Sequence, residues 1–335
     1  LSMEREPLTL GVLPLAIAAK ASGGKVFAQV ERIVKRGSLH PKSVKVPATL
    51  LDGFVLAPDA AQSGASRYDP AHSNEIAVAF PPPPPVSAAE HVIMARAASA
   101  LKPGWLINVG VGLGAQMPAL VRAADRLGAV TVSTEHGSFG GWPTLPPSFG
   151  AHLNAECLVE PSDMFNLYTG GGLDACFLGM AECDAAGNIN VSQFGGRTPG
   201  AGGFIDISAR TPNVFICANF AGGGRIEIRD GAMHVREIGR ARKFVSSTAS
   251  ITLSGRVALE RGQTVLLITE RGAFRLTPDG WLLIEIAPGV DPMRDMKPMM
   301  DFPLRIADDL AVYSREIMAG PGAAFDAWLA GRLDG

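Results

Sequence analysis

Cysteine is scarce: four residues in 335 (Cys157, Cys176, Cys183 and Cys217), none in a C-x-x-C pair. That is too few for a disulfide-stapled scaffold and points to a reducing compartment, with a cytoplasmic location expected. Long hydrophobic runs are also missing. No stretch reaches the ~18 apolar residues of a membrane span, so no membrane association is expected. The nearest approach is Leu8 to Ala19, interrupted by Pro14 and followed by Ala-x-Ala spacing at Ala19 and Ala21. A signal peptide is disfavoured there because Glu4 and Glu6 outweigh Arg5, where such a segment is net positive. The start, Leu1-Ser2-Met3, reads as a cut end. An excess of basic charge is absent too: a net charge of −2 and a pI near 6.3 argue against a nucleic-acid binder. The six histidines (His40, His72, His91, His136, His152, His234) show no paired ligand spacing, so no metal site is expected.

What is present is a globular composition, 47% hydrophobic and 19% charged, with many turns from 39 glycines and 25 prolines. At about 150 residues per domain the length suggests two domains. Helix is expected over Leu13–Ser22, and strand over Lys25–Val34 and Phe54–Ala57. Pro81 to Pro85 then reads as a polyproline spacer, and Ser87-x-x-Glu90 as the capping box of a helix running to about Leu101. Trp105–Val109, a glycine loop, Met117–Leu127 and Val130–Thr134 form a βαβ pattern, which implies a parallel sheet. Further on, Thr264–Thr269, Ala273–Leu276 and Trp281–Ala287 read as strands, the last two joined at Pro278-Asp279-Gly280. Pro288–Pro303 reads as irregular. Ile306–Met318 and Ala323–Leu333 read as closing helices.

Gly110-x-Gly112-x-x-Ala115, followed at the end of the next strand by Glu135, fits a dinucleotide-binding fingerprint, and an NAD-dependent oxidoreductase is one reading. The residues after Glu135 (His136-Gly137-Ser138-Phe139-Gly140-Gly141-Trp142-Pro143) offer another. They make a tight glycine loop at a strand's carboxyl end, where a carboxylate serves as covalent nucleophile as readily as it binds ribose. Glycine runs recur at Gly170–Gly172, at Asp184 to Asn190, at Gly200–Gly203 and at Gly222–Gly224. They suggest backbone amides brought close to one ligand.

With the Asn108-Val109-Gly110-Val111-Gly112 loop, Glu135-x-Gly137, Gly140-Gly141-x-Pro143 and these glycine runs, the chain resembles the class I CoA-transferases. The similarity is greatest to the propionate/acetate and acyl-CoA:acetate/3-ketoacid branch, over about Leu13 to Met318. The resemblance implies an α/β fold of two related halves. It places residues 1–80 in the end of an α-type half, 81–86 in a proline linker and 87–335 in a complete β-type half. Most of the α-type half, expected to be needed for activity, lies outside this sequence. The implied reaction is ping-pong transfer of CoA between small carboxylic acids, as in short-chain fatty-acid and ketone-body metabolism, through a glutamyl-CoA thioester on Glu135.

By the same resemblance Gly110, Val111, Gly112, Leu113 and Gly114 line the pantetheine of CoA. Gly202, Gly203, Gly222 and Gly223 approach CoA, and Asn188 is a polar donor facing the acyl oxygen. From the residues alone, Gly187-Asn188 reads equally as a turn. Coenzyme A is then a substrate, with no permanently bound cofactor. Phe139 and Trp142 are bulkier than expected of the propionate enzymes, and a bulkier pocket wall would alter which acyl chains fit. The cluster Arg236, Arg240, Arg242 and Lys243 reads as a solvated strand face or as a phosphate contact. An acyl-CoA thioesterase using the same intermediate and a non-catalytic CoA-binding subunit are the other readings. An oligomer, at least a dimer, is expected.

Overall fold

The computed structural model describes residues 1–58, 62, 68–82, 84–110, 130–145, 148–319, 327 and 331. The chain forms two compact units: residues 1–81 with 134–166, and residues 82–133 with 167–335. Residues 134–166 follow the proline run in sequence but pack with the segment that precedes it.

In the first unit, helix α1 (Val12–Ala21) ends at Gly23, whose positive φ closes it as a left-handed turn. Strands β1 (Phe27–Val30) and β2 (Gly53–Leu56) pair in parallel. β1 is shorter than the expected Lys25–Val34, β2 lies within one residue of the expected Phe54–Ala57, and Phe27, Phe54, Val55 and Leu56 are exposed. The later segment contributes two small antiparallel ladders. One joins β5 (Ser138–Phe139) to β8 (Cys157–Leu158), and the other β6 (Trp142–Pro143) to β7 (His152–Leu153). Asn154 fastens them to the first segment, accepting from the Val78 amide at 3.0 Å and donating to its carbonyl at 2.8 Å. Glu160 accepts from Thr9 and pairs with Lys45 at 3.2 Å.

The second unit opens with α2 (Ala88–Ala98), whose capping box is formed as the spacing of Ser87 and Glu90 predicts. From Val92 to Ala98 it is buried on every side. Beyond it come β3 (Leu106–Val109) and β4 (Thr131–Thr134), the latter passing into the first unit at its last residue. Helix α3 (Pro161–Thr169) returns the chain to the second unit and β9 (Ala175–Leu178) follows. A short pair, β10 (Glu182–Cys183) and β11 (Ile189–Asn190), leads to α4 (Phe204–Ala209) and β12 (Asn213–Cys217). The hairpin β13 (Arg225–Arg229) and β14 (Ala232–Glu237) and helix α5 (Gly255–Glu260) then precede β15 (Thr264–Ile268).

Strands β4, β3, β9, β12 and β15 lie side by side in that order, all parallel. Successive strands are added to one side of β3 and then to the other, so the sheet reverses direction between β3 and β9. A doubly wound sheet binds ligands in the crevice at the carboxyl ends of such a pair. Strands β16 (Gly272–Thr277) and β17 (Gly280–Ile286) continue antiparallel, turning at Pro278-Asp279 as expected.

The region expected to be a helix from Ile306 to Met318 is instead strand β18 (Arg305–Val312) followed by the short helix α6 (Arg315–Ala319). Its spacing of Ile306, Leu310 and Ala311 suits a helix. The open backbone edge of β17, with which it pairs in parallel, decides otherwise. Pro288–Pro303 is irregular apart from two short helical turns, at Pro292–Met296 and Lys297–Met299. The expected helix at Met117–Leu127 lies outside the described residues, as does most of that at Ala323–Leu333. No helix among the described residues is long and apolar enough to cross a membrane.

Candidate active site

Glu135 opens the turn that follows β4 in the first unit, with the Gly137 amide donating to the Thr134 carbonyl at 3.1 Å. Gly137 has φ 110°, and a Cβ there would lie 2.1 Å from the Val159 carbonyl oxygen, so only glycine fits. The turn is fastened further by the Val159 amide donating to Gly137 at 2.9 Å and the Ser138 hydroxyl to Gly150 at 3.1 Å. The Glu135 side chain is half-buried, and its Oε2 is shielded from solvent with no hydrogen-bond partner among the described residues. A shielded carboxylate oxygen without a donor is costly unless something else engages it.

The His136 ring meets Phe149 edge-on, with centroids 5.4 Å apart, and packs on Gly150. Trp142 is buried against Phe80 in a 5.4 Å stack. Its large apolar ring anchors the glycine loop to the end of the first segment. Phe139 is half-buried and opposes Cys157 across the β5–β8 ladder.

The other expected site residues lie in the second unit. Gly110 is buried at the end of β3, donating to the Phe177 carbonyl of β9 at 2.9 Å. A Cβ on it would lie 2.9 Å from Leu178 Cδ2, so glycine allows the close approach of β3 and β9 at the reversal point. Val111, Gly112, Leu113 and Gly114 lie outside the described residues. Gly202 is exposed, and Gly203 is the residue before α4. Gly222 exchanges backbone hydrogen bonds with Ala241 at 2.9 and 3.1 Å, which leaves Gly223 at the exposed tip.

The Asn188 carboxamide is engaged at both ends. Nδ2 donates to Asp184 at 2.9 Å, and Oδ1 accepts from the Gly255 amide at 3.2 Å. Asp184 also accepts from the amides of Ala186 and Asn188 at 3.0 Å each, making an acid-centred turn.

Two groups that sequence reasoning passed over prove central to these loops. Glu270 is buried just beyond β15 and accepts from the Phe220 amide at 2.8 Å, at the root of the 221–224 loop. Burial pushes its carboxyl up, opposed by the Arg271 guanidinium, whose Nε lies 3.2 Å away. Arg271 is itself buried, donating to the carbonyls of Asp295 at 2.6 Å and Ile238 at 2.9 Å. The adjacent charges at the end of an apolar strand were the available signal. The second group, His152, carried none, being one isolated histidine.

The arginine cluster is largely ion-paired surface: Arg236 with Glu227 at 3.0 Å, Arg242 with Asp301 at 3.3 Å. Lys243 differs: it is half-buried, its ammonium 3.4 Å from the Met180 carbonyl, and burial lowers its pKa. The four cysteines are free, and burial pushes the Cys217 thiol up to about 12, which makes it unreactive. No cluster of three or more metal-ligating side chains occurs among the described residues.

No family model matches the chain. Among curated proteins it is 40% identical over 307 residues to a caffeate CoA-transferase of Acetobacterium woodii, covering 89% of this chain and 59% of that protein. It is 36% identical over 327 residues to the acetate CoA-transferase YdiF of Escherichia coli O157:H7, covering 97% and 62%. The crystal structure of the YdiF apoenzyme superposes with a TM-score of 0.86 over 97% of this chain and 61% of that one. A thioester complex of YdiF with CoA matches at 0.85, over 95% and 60%. An acetate CoA-transferase subunit beta of Haemophilus influenzae is 27% identical over 233 residues, which make up 66% of this chain and 93% of that subunit. The chain thus spans about three fifths of the length of the first two relatives.

Proposed function

The chain belongs to the class I CoA-transferase family, and from that premise we propose that it carries the nucleophilic part of an acyl-CoA:carboxylate CoA-transferase, with Glu135 as the nucleophile. The observation that carries this is the Glu135 carboxylate itself. It sits on a sterically fixed turn after a strand, with one oxygen shielded from solvent and bound to nothing among the described residues. A structural carboxylate in such a place would be paired.

The chemistry follows from the carboxylate. Attack on the thioester carbonyl forms a tetrahedral oxyanion, which collapses to a mixed anhydride and expels CoA thiolate. The thiolate then attacks the glutamyl carbonyl of that anhydride, releases the donor's carboxylate and leaves glutamyl-CoA thioester. An acceptor carboxylate runs the same steps in reverse, so small carboxylic acids are the proposed substrates. Each oxyanion needs preorganised N–H donors. We assign these and the CoA contacts to Gly110–Gly114, Gly202–Gly203 and Gly222–Gly223. A donor role for Asn188 would draw on the Nδ2 hydrogen that does not face Asp184; its other contacts serve the turn.

Residues 1–80 are proposed as the tail of an α-type half, 81–86 as linker and 87–335 as the β-type half. The exposed Phe27, Phe54, Val55 and Leu56 on a two-stranded sheet support a cover from further α-type structure, in the same polypeptide or a partner. A homo-oligomer and a cytoplasmic location are part of this proposal.

The test is the intact mass of the full-length protein after exposure to acyl-CoA without acceptor. The expected result is a gain of one CoA less water, mapping to the peptide around Glu135 and reversed by added carboxylate. Glu135→Gln keeps the shape and should give no adduct. An unchanged adduct in that variant overturns the assignment.

A further inference from the structure

We propose that His152 is a positioning residue for Glu135, a neutral imidazole that ties the residue before the carboxylate to a glycine closing its loop. This rests on Glu135 being the nucleophile. His152 lies on β7 and is fully buried. Its Nδ1 is 2.5 Å from the carbonyl oxygen of Gly140. A carbonyl only accepts, so Nδ1 must carry the hydrogen, and Nε2 is left with a lone pair. That lone pair faces the Thr134 hydroxyl at 3.2 Å, which donates to it; the alternative acceptor for the hydroxyl, Gly150 O, is farther away at 3.4 Å.

The geometry spans the nucleophile. Thr134 is peptide-bonded to Glu135, and Gly140 ends the same loop five residues on. One ring therefore clamps both shoulders of the turn, from a strand whose own place is set by pairing with β6. The backbone bonds already described hold the middle of the turn, but the side-chain contact at Thr134 sits on the residue directly before the carboxylate. Attack on a thioester tolerates little misplacement: an error of about 1 Å can cost on the order of a hundredfold in rate.

An uncharged brace suits this task. A cation beside the nucleophile would pair with it and blunt it, whereas a neutral ring supplies one donor and one acceptor only. Desolvation in the buried site, with His136 nearby adding to the effect and the Gly140 contact opposing it, lowers the His152 pKa to about 4. The ring is thus neutral through the physiological range.

The test is made in the full-length protein with acetyl-CoA as probe thioester, following adduct formation by rapid quench and mass spectrometry. Thr134→Val removes the hydroxyl while keeping the shape. It should slow adduct formation at saturating acetyl-CoA by tenfold or more, with half-saturation changed less than twofold and the melting temperature nearly kept. Thr134→Ser restores the hydroxyl and should recover most of the rate. His152→Asn keeps a donor near Gly140 but cannot reach Thr134, and should resemble Thr134→Val. If that variant does not fold, the two Thr134 substitutions still decide. Adduct formation at the wild-type rate in Thr134→Val overturns the brace, and so does a loss that Thr134→Ser fails to restore. A wild-type protein that forms no adduct at Glu135 overturns instead the nucleophile assignment on which the brace rests.

Discussion

The backbone amide of Phe220 donates to the buried carboxylate of Glu270 at 2.8 Å, so the glycine loop that follows β12 hangs from a charge at the end of β15. Arg271 neutralises that charge and lies under the same loop, its guanidinium 4.9 Å from the Phe220 ring centroid. Glu270→Ala leaves the amide without its acceptor and the buried guanidinium without its carboxylate partner, a loss of about 3–5 kcal/mol. We expect a lower denaturant midpoint and a KM for acyl-CoA that rises more than kcat falls. An unchanged KM in a variant that still folds would separate this loop from CoA binding.

Stability should depend on acid through His152. Its folded pKa, about 4, lies below the ordinary 6.5, so the unfolded chain takes up a proton that the folded chain refuses. The contribution is complete above about pH 6.5 and is lost as pH falls toward about 4, amounting to about 3 kcal/mol. Urea unfolding of wild type and His152→Asn across that range should show a steeper decline for wild type. Parallel slopes would refute a buried neutral histidine.

Gly137→Ala tests the turn beneath the nucleophile. Its φ of 110° and the 2.1 Å approach of Val159 O leave no room for a methyl group. The expected loss exceeds about 3 kcal/mol, since backbone strain and a steric clash act together. Thermal unfolding measures it, and a melting temperature within a degree or two of wild type would contradict the geometry.

Arg96 on α2 reaches Glu285 on β17 with two hydrogen bonds, 2.5 and 2.8 Å long. Both side chains are largely shielded, so Glu285→Gln strands a guanidinium in a poorly solvated place. The expected cost is about 3 kcal/mol. Arg96→Met combined with Glu285→Gln should recover part of it, because no unpaired charge remains. A double variant no more stable than the single one would show that the loss does not come from an unpaired charge.

Local features were legible where a few neighbouring residues settle the outcome. Ser87 and Glu90 form their box because the two groups lie one helical turn apart, and Pro278-Asp279-Gly280 turns because its members accept those angles. Glu135 stood out because a carboxylate followed by closely spaced glycines marks a turn after a strand. The pattern at Ile306 to Val312 misled, since its apolar spacing suits a helix while the unfilled edge of β17 imposes a strand. The size of Trp142 was visible in the sequence, but not its stack on Phe80, 62 residues earlier.

By itself the sequence determined the α/β class, the capped helix after the prolines, the tight turns and the position of the nucleophile candidate. Those depend on backbone preference and on side chains within a few residues of each other. Only the tertiary structure decided that residues 134–166 pack with the first 81, that His152 bridges Thr134 and Gly140, and that Glu270 holds Phe220 from 50 residues away. Such partners have no spacing that marks them. A buried polar group must find whichever donor or acceptor the packed chain brings within about 3 Å, and only folding brings it there.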